Sequence, residues 1–184
     1  MTTATQTSIP TGTWVTDPVH STIGFSVKHL GIATVRGKFD EFEGRLEIGD
    51  DLSSARVSGR ATTASIDTGE PQRDAHLRSP DFFDVENHPQ ITFKSTAVRP
   101  LDDDEFEVEG DFTIHGVTNP LKLVGVLEGT ETDPQGNERV GLSATAAINR
   151  SDYDMKFNMA LGSGNVVVSD KVKILIDISA VKAA

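Results

Sequence analysis

Cysteine is absent from this chain, which removes disulfides, thiolate metal sites and cysteine nucleophiles. Basic residues are scarce: 17 Lys and Arg stand against 28 Asp and Glu, a formal net charge of -11. A surface of that sign repels phosphates and anionic head groups, so neither nucleic-acid binding nor stable membrane insertion is expected. No stretch approaches the ~20 apolar residues of a membrane-spanning helix. The opening segment Met1–Pro10 has no basic run and no apolar run, unlike a secretory leader. The expectation is a cytoplasmic protein. Aromatic residues are also few, with nine Phe against one Trp and one Tyr. Residues 1–12 are polar and Thr-rich and read as a flexible tail, leaving 13–184 as a single domain.

What the chain does have is alternation. Ile23, Phe25, Val27 and His29 point one way, and Gly24, Ser26 and Lys28 the other. That is the period of a strand with one buried face. The same pattern recurs at about 55–66, 90–99, 104–115, 120–131, 138–150 and 166–181. In the last of these Val172, Ile174, Ile176 and Ile178 alternate strictly. Between 32 and 48 the parity slips, with Phe39 on one face and Phe42 and Leu46 on the other. A bulge near Asp40 would reconcile them. Residues 116–120 read as a turn before the 120–131 strand. About eight strands of about ten residues, mostly joined by short turns, favour an all-β, extended antiparallel barrel over a small sandwich.

The pattern stops over 67–89, which reads as an excursion with two short helical pieces. Asp74 would cap the first, and Ser79-Pro80 would open the second. Phe82 and Phe83 would fasten the segment over an apolar opening. Several strands are apolar on both faces, as with Leu121, Leu123 and Leu127 against Val124 and Val126, or Leu175 and Val181 against the Val172 series. The outer face could then be covered by the excursion or by a second subunit in a homodimer. Scattered apolar surface is the equal alternative.

Chemical motifs are thin. The five histidines show no metal-ligand spacing, and a straight strand would hold His20 and His29 ~30 Å apart. No metal and no cofactor is expected. Asp17, His20 and Ser21 invite a hydrolase reading, but no nucleophile-elbow motif accompanies them. Asp17-Pro18 more simply makes a turn whose His20 and Ser21 side chains tie down backbone. No catalytic residue is assigned. Arg73, His76 and Arg78 form a modest basic cluster that could hold an anionic head group. Local pairing with Glu70, Asp74, Asp81 and Asp84 is the favoured alternative.

Several blocks stand in order along the chain, beginning with Asp17-x-x-His20-Ser21-x-x-x-Phe25-x-Val27-x-His29 and Gly37-x-Phe39-x-x-Phe42-x-Gly44. Next come Arg73-Asp74-x-His76-Leu77-Arg78-Ser79-x-Asp81-Phe82-Phe83 and His88-Pro89-x-Ile91-Thr92-Phe93. Further blocks are Gly110-Asp111-Phe112-Thr113-Ile114-His115-Gly116 and Asn149-Arg150-Ser151-Asp152-Tyr153. Taken together, these blocks resemble the YceI-like family of bacterial lipocalin-like, polyisoprenoid-binding proteins. The resemblance implies an extended eight-stranded antiparallel lipocalin-like barrel with a short helical element. It also implies non-catalytic binding, storage or transport of a long isoprenoid or fatty lipid, such as an isoprenoid quinone or polyprenyl phosphate. Two departures stand out: many members carry a secretory leader, and the residue after the Tyr is usually Gly, whereas here it is Asp154.

On this reading the lumen is lined by Phe25, Val27, His29, Phe39, Phe93, Phe106, Phe112, Ile114, Leu142, Ile148, Ile174 and Ile176. Arg73, His76 and Arg78 are the head-group candidates. The residue pattern alone allows the same side chains to pack a solid core. An enzyme acting on a lumenal lipid, or a protein-interaction module using the outer wall, are the rival functions.

Overall fold

A computed structural model describes residues 9–184 of the chain. Its strands are β1 (Gly12–Thr16), β2 (Thr22–His29), β3 (Ala33–Phe39), β4 (Phe42–Ile48), β5 (Arg56–Thr62) and β6 (Ile66–Asp67). After the helix α1 (Pro71–Arg78) come β7 (Gln90–Pro100), β8 (Glu105–Ile114), β9 (Val117–Thr132), β10 (Glu138–Asn149) and β11 (Val168–Lys182). All pair antiparallel. β1 and β2 lie end to end along β11, β3 and β4 follow one another beside them, and β5 continues into β6. The segments therefore make eight staves in an up-and-down order. The ring closes where β1 pairs with both β4 and β11, which leaves the barrel without a free edge there.

The breaks within staves have local causes. Pro18 lacks a backbone donor, and Asp17 Oδ1 accepts from Val19 N at 2.9 Å, forming a 3-10 turn between β1 and β2. Asp40 and Glu41 interrupt the next stave, where Ser65 receives their amides on its carbonyl (3.1 Å) and its hydroxyl (3.0 Å). The extra residues let Phe39 and Phe42 both face inward, as the slipped parity required.

Four expectations are corrected. Residues 9–12 are not loose: Trp14 Nε1 donates to Pro10 O (3.1 Å) and Thr11 Oγ1 to Gly49 O (3.0 Å). The part of the expected tail formed by residues 1–8 lies outside the described residues. The turn before β9 is only His115-Gly116, both at positive φ (55° and 73°), and Pro120 sits within the strand. Pro120 is tolerated because β10 pairs with β9 only from Val124 onward. Helix α1 starts at Pro71 with Glu70 as its cap, whereas Asp74 is buried and accepts from Thr68 N (2.9 Å) and Oγ1 (2.5 Å). Ser79 closes this helix rather than opening a second, because its hydroxyl donates to His76 O at 2.6 Å.

Two apolar clusters fill the two ends of the barrel. One is centred on Trp14, Ile48, Val108 and Val140, the other on Phe39, Ile66, Ile114 and Tyr153. Helix α1 packs near β6 at the second end and leaves the outer wall uncovered. There Val124 (44% exposed) and Leu175 (39%) remain open, separated by Thr145 on β10.

Candidate ligand cavity

Between the two clusters the barrel is hollow. A cavity of about 290 Å³ runs along its axis, at the lower end of the ~300–1,000 Å³ of ligand pockets. Val172, Ile174, Ile176, Ile178 and Ala180 all line it from β11. Those positions span ~26 Å at a strand's rise per residue, so the space is a tunnel. Ile174, Ile176 and Ile178 pack against the first cluster yet are only half-buried although they face inward, because they also line the cavity.

Eleven of the twelve predicted lumen residues line this cavity, all but His29. His29 is exposed at the end of β2 beside the turn, so its alternation with Val27 carries it beyond the tunnel. Two cross-strand pairs explain how so many phenylalanines leave the middle open. Phe25 faces Gly37 and Phe106 faces Gly125. In each pair the ring lies across the glycine so closely that a Cβ there would overlap it. Glycine therefore lets the ring lie along the wall instead of projecting into the lumen.

The basic cluster is placed elsewhere. Arg73 donates to Thr68 Oγ1 (2.7 Å) and Thr68 O (2.8 Å), and Arg78 to Ala64 O (2.8 Å) and Ile66 O (2.9 Å). His76 meets Asp81 Oδ2 at 2.8 Å. None of the three lines the cavity. Arg73 and Arg78 fasten α1 to the β5–β6 stave and the residues after it through backbone carbonyls and the Thr68 hydroxyl, whereas His76 makes one of the expected carboxylate pairs, with Asp81.

Arg150 is the charged group that the motif reading missed. It is buried, lines the cavity, and donates to Ser169 O (3.0 Å), Met155 O (2.8 Å) and Val168 O (3.1 Å). Its guanidinium lies 5.9 Å from the Phe82 ring centroid, and burial pushes its pKa down, against the pull of Asp170. The signal was available, since Arg150 continues the inward parity of Ala144, Ala146 and Ile148. Around it the excursion meets the loop after Tyr153. Phe157 packs edge-on against His76 (5.0 Å) and Phe82 (5.3 Å), forming a seam over this end.

Asp17, His20 and Ser21 form no triad. His20 Nδ1 sits 2.7 Å from Asp17 Oδ2, while the Ser21 hydroxyl donates to Ser179 O (3.2 Å) and accepts from Ser179 N (2.9 Å). Arg139 bridges Asp17 and Asp133 at 2.8 Å each. Arg139 holds Asp17 well below the usual carboxylate range, with help from His20 and Val19 N. Arg139 does the same for Asp133, with help from Asn137. This is a fastening of the Trp14 end. Sequence spacing assigned no metal site, yet the fold brings Asp84, His88 and His115 together outside the cavity.

Residues 14–180 match the model of the YceI-like domain. The chain belongs to the YceI-like family. A UPF0312 protein of Pectobacterium atrosepticum is 38% identical over 148 residues, 80% of this chain and 77% of the relative. Protein YceI of Escherichia coli is 36% identical over the same shares of each chain. Among solved structures, Burkholderia cenocepacia BcnA superposes with a TM-score of 0.76 at 20% identity, covering 89% of this chain and 98% of its own. A polyisoprenoid binding domain from Saccharophagus degradans superposes at 0.69 and 13% identity, over 95% and 100%. In this YceI-like barrel Asp154 adopts the left-handed conformation (φ 59°, ψ 21°) that glycine enters most easily. The Asp154 carboxylate pairs with Lys156 at 3.0 Å.

Proposed function

We propose that this YceI-like protein holds a long isoprenoid or related lipid in its barrel, as a non-catalytic carrier or store. The observation that carries the reading is the open tunnel, onto which inward isoleucines and wall-lying phenylalanines turn half-buried apolar surface. Water in such a space lacks polar partners, whereas a hydrocarbon chain gains about 0.8 kcal/mol per buried methylene. Chain ordering offsets part of that gain. The polyisoprenoid-binding domain that shares the fold supports the same ligand class. Arg150 stands where the tunnel meets the seam, and a polar head group would lie there.

A carrier reading is favoured over catalysis because no histidine lines the cavity among the described residues, and Ser21 and His20 are engaged with Ser179 and Asp17. The test is native mass spectrometry of protein purified from its own host, followed by titration with prenyl quinones of graded length. A co-purifying lipid and affinity that rises with chain length are expected. Repeated recovery of lipid-free protein that takes up no prenyl quinone would overturn the proposal.

A further inference from the structure

We propose that Asp84, His88 and His115 bind one divalent transition ion of the zinc class, clipping the excursion to the β8–β9 turn. Asp84 and His88 stand four residues apart in the excursion and His115 comes from the β8–β9 turn, and their ligand atoms all lie within 4.8 Å of one another. All three are half-buried. Two imidazoles and one carboxylate suit Zn²⁺, Ni²⁺ or Cu²⁺ better than Mg²⁺ or Ca²⁺, which prefer oxygen alone.

The second layer of contacts is what separates this set from a chance meeting. His115 Nδ1 lies 3.2 Å from Tyr153 O. A carbonyl only accepts, so Nδ1 carries the proton and Nε2 keeps its lone pair. A ligand histidine commonly donates its other N–H to a carbonyl in this way, which fixes ring and tautomer. Asn87 Nδ2 donates to Asp84 Oδ2 at 2.9 Å, orienting the carboxylate and leaving Oδ1 available. The His88 and His115 rings are 4.6 Å apart between centroids and tilted by 57°. The His88 ring makes no hydrogen bond among the described residues. Gly116 permits this approach, since a Cβ there would meet His88 Cε1 at 2.9 Å. Tetrahedral ligands at 2.0–2.1 Å stand ~3.4 Å apart, so small side-chain rotations close the site. Three protein ligands leave a fourth position for water.

The test uses tag-free, chelator-stripped protein. Zn²⁺ is titrated in competition with a chromophoric chelator, and Co²⁺ is followed by its visible absorption. One equivalent of Zn²⁺ is expected, with a Co²⁺ spectrum of low coordination number and a melting temperature that rises with Zn²⁺. Asp84→Asn and His115→Asn each lower the affinity by more than 10-fold; Asn is chosen at 115 because it tolerates the left-handed backbone. Asn87→Ala, which removes only the orienting bond, lowers it by about 10-fold. Prenyl quinone uptake is unchanged in all three, because the site lies outside the cavity. That readout separates failure of the metal clip from failure of the lipid proposal. Absence of saturable Zn²⁺ binding at micromolar concentration overturns the clip. So does binding that Asp84→Asn leaves untouched, and Asp84→Asn decides alone if His115→Asn fails to fold.

Discussion

At one end of the barrel Trp14, Ile48, Val108 and Val140 are buried against each other, and most of the closing side chains come from the staves, with Ile9, Leu52 and Ala55 added from the flanking segments. The Asp17–Arg139–Asp133 bridge fastens that end from outside. At the other end Phe39, Ile66 and Ile114 of the staves also pack together. The end is covered by inserted pieces, namely α1, Phe82, Phe83 and the loop carrying Phe157, joined by aromatic edges and by the three carbonyl bonds of Arg150. Side chains contributed by neighbouring strands cannot separate without breaking the sheet. Side chains contributed by loops can. If the tunnel holds the proposed lipid, the second end is the one that can open for it, while the first end carries the stability.

The sharpest way to break this comparison is to truncate one residue in each region. Trp14→Ala removes a fully enclosed side chain and should cost about 3–5 kcal/mol. Ile176→Ala removes a side chain that already faces open space. Without ligand it should cost only about 1 kcal/mol, below the ~2–5 kcal/mol of a packed isoleucine. Urea unfolding of delipidated protein measures both. An Ile176→Ala loss as large as that of a packed core would mean the barrel is solid.

Filling the tunnel is the converse experiment. Ala144 lies on the inner wall opposite Ile176 and Gly125. Ala144→Phe should weaken prenyl quinone binding by about 10-fold or more, near 1.4 kcal/mol. Its stability should change by less than the ~1–3 kcal/mol that overpacking costs in a filled core. Unchanged lipid binding would place the ligand elsewhere.

Most of the wall was readable from sequence, because alternation fixes parity and a closed barrel gives parity a single meaning. The Val172–Ile178 series and the slip between Phe39 and Phe42 each reached the lumen for that reason. What could not be read depends on residues that meet only after the chain has closed. His76, Phe82 and Phe157 form the seam from two distant segments. His88 and His115 approach through two loops that no spacing rule links. Arg73 and Arg78 looked like head-group ligands because sequence shows their charge but not the carbonyls of Thr68, Ala64 and Ile66. Arg150 was readable by parity but stood inside a motif that drew attention to its neighbours.

The packed end should also carry an acid sensitivity of its own. Arg139 depresses both Asp17 and Asp133, so the folded state binds fewer protons than the unfolded state there. That stability is present above the ordinary carboxylate pKa and is lost as pH falls below about 4. Arg139→Gln should therefore be less stable than the parent at pH 7, with the difference shrinking as pH is lowered. Melting temperatures measured from pH 7 to pH 3 check the sign. A gap that widens on acidification would exclude this bridge as its source.

The smallest effect is expected at Asp154, in the turn that leads into the seam. A non-glycine residue in the left-handed region is disfavoured by about 1–2 kcal/mol, less for Asp. Replacing it by Gly removes that strain but adds freedom to the unfolded chain, worth roughly 0.5–1 kcal/mol. The two terms oppose, and the Lys156 pair is exposed and contributes little. Asp154→Gly should shift stability by less than about 1 kcal/mol, whereas Asp154→Val, branched at Cβ, should lose about 1–2 kcal/mol. Thermal melts of the two variants against the parent separate backbone conformation from side-chain pairing. A large loss in Asp154→Gly would mean that the carboxylate, not the left-handed turn, holds this approach to the seam.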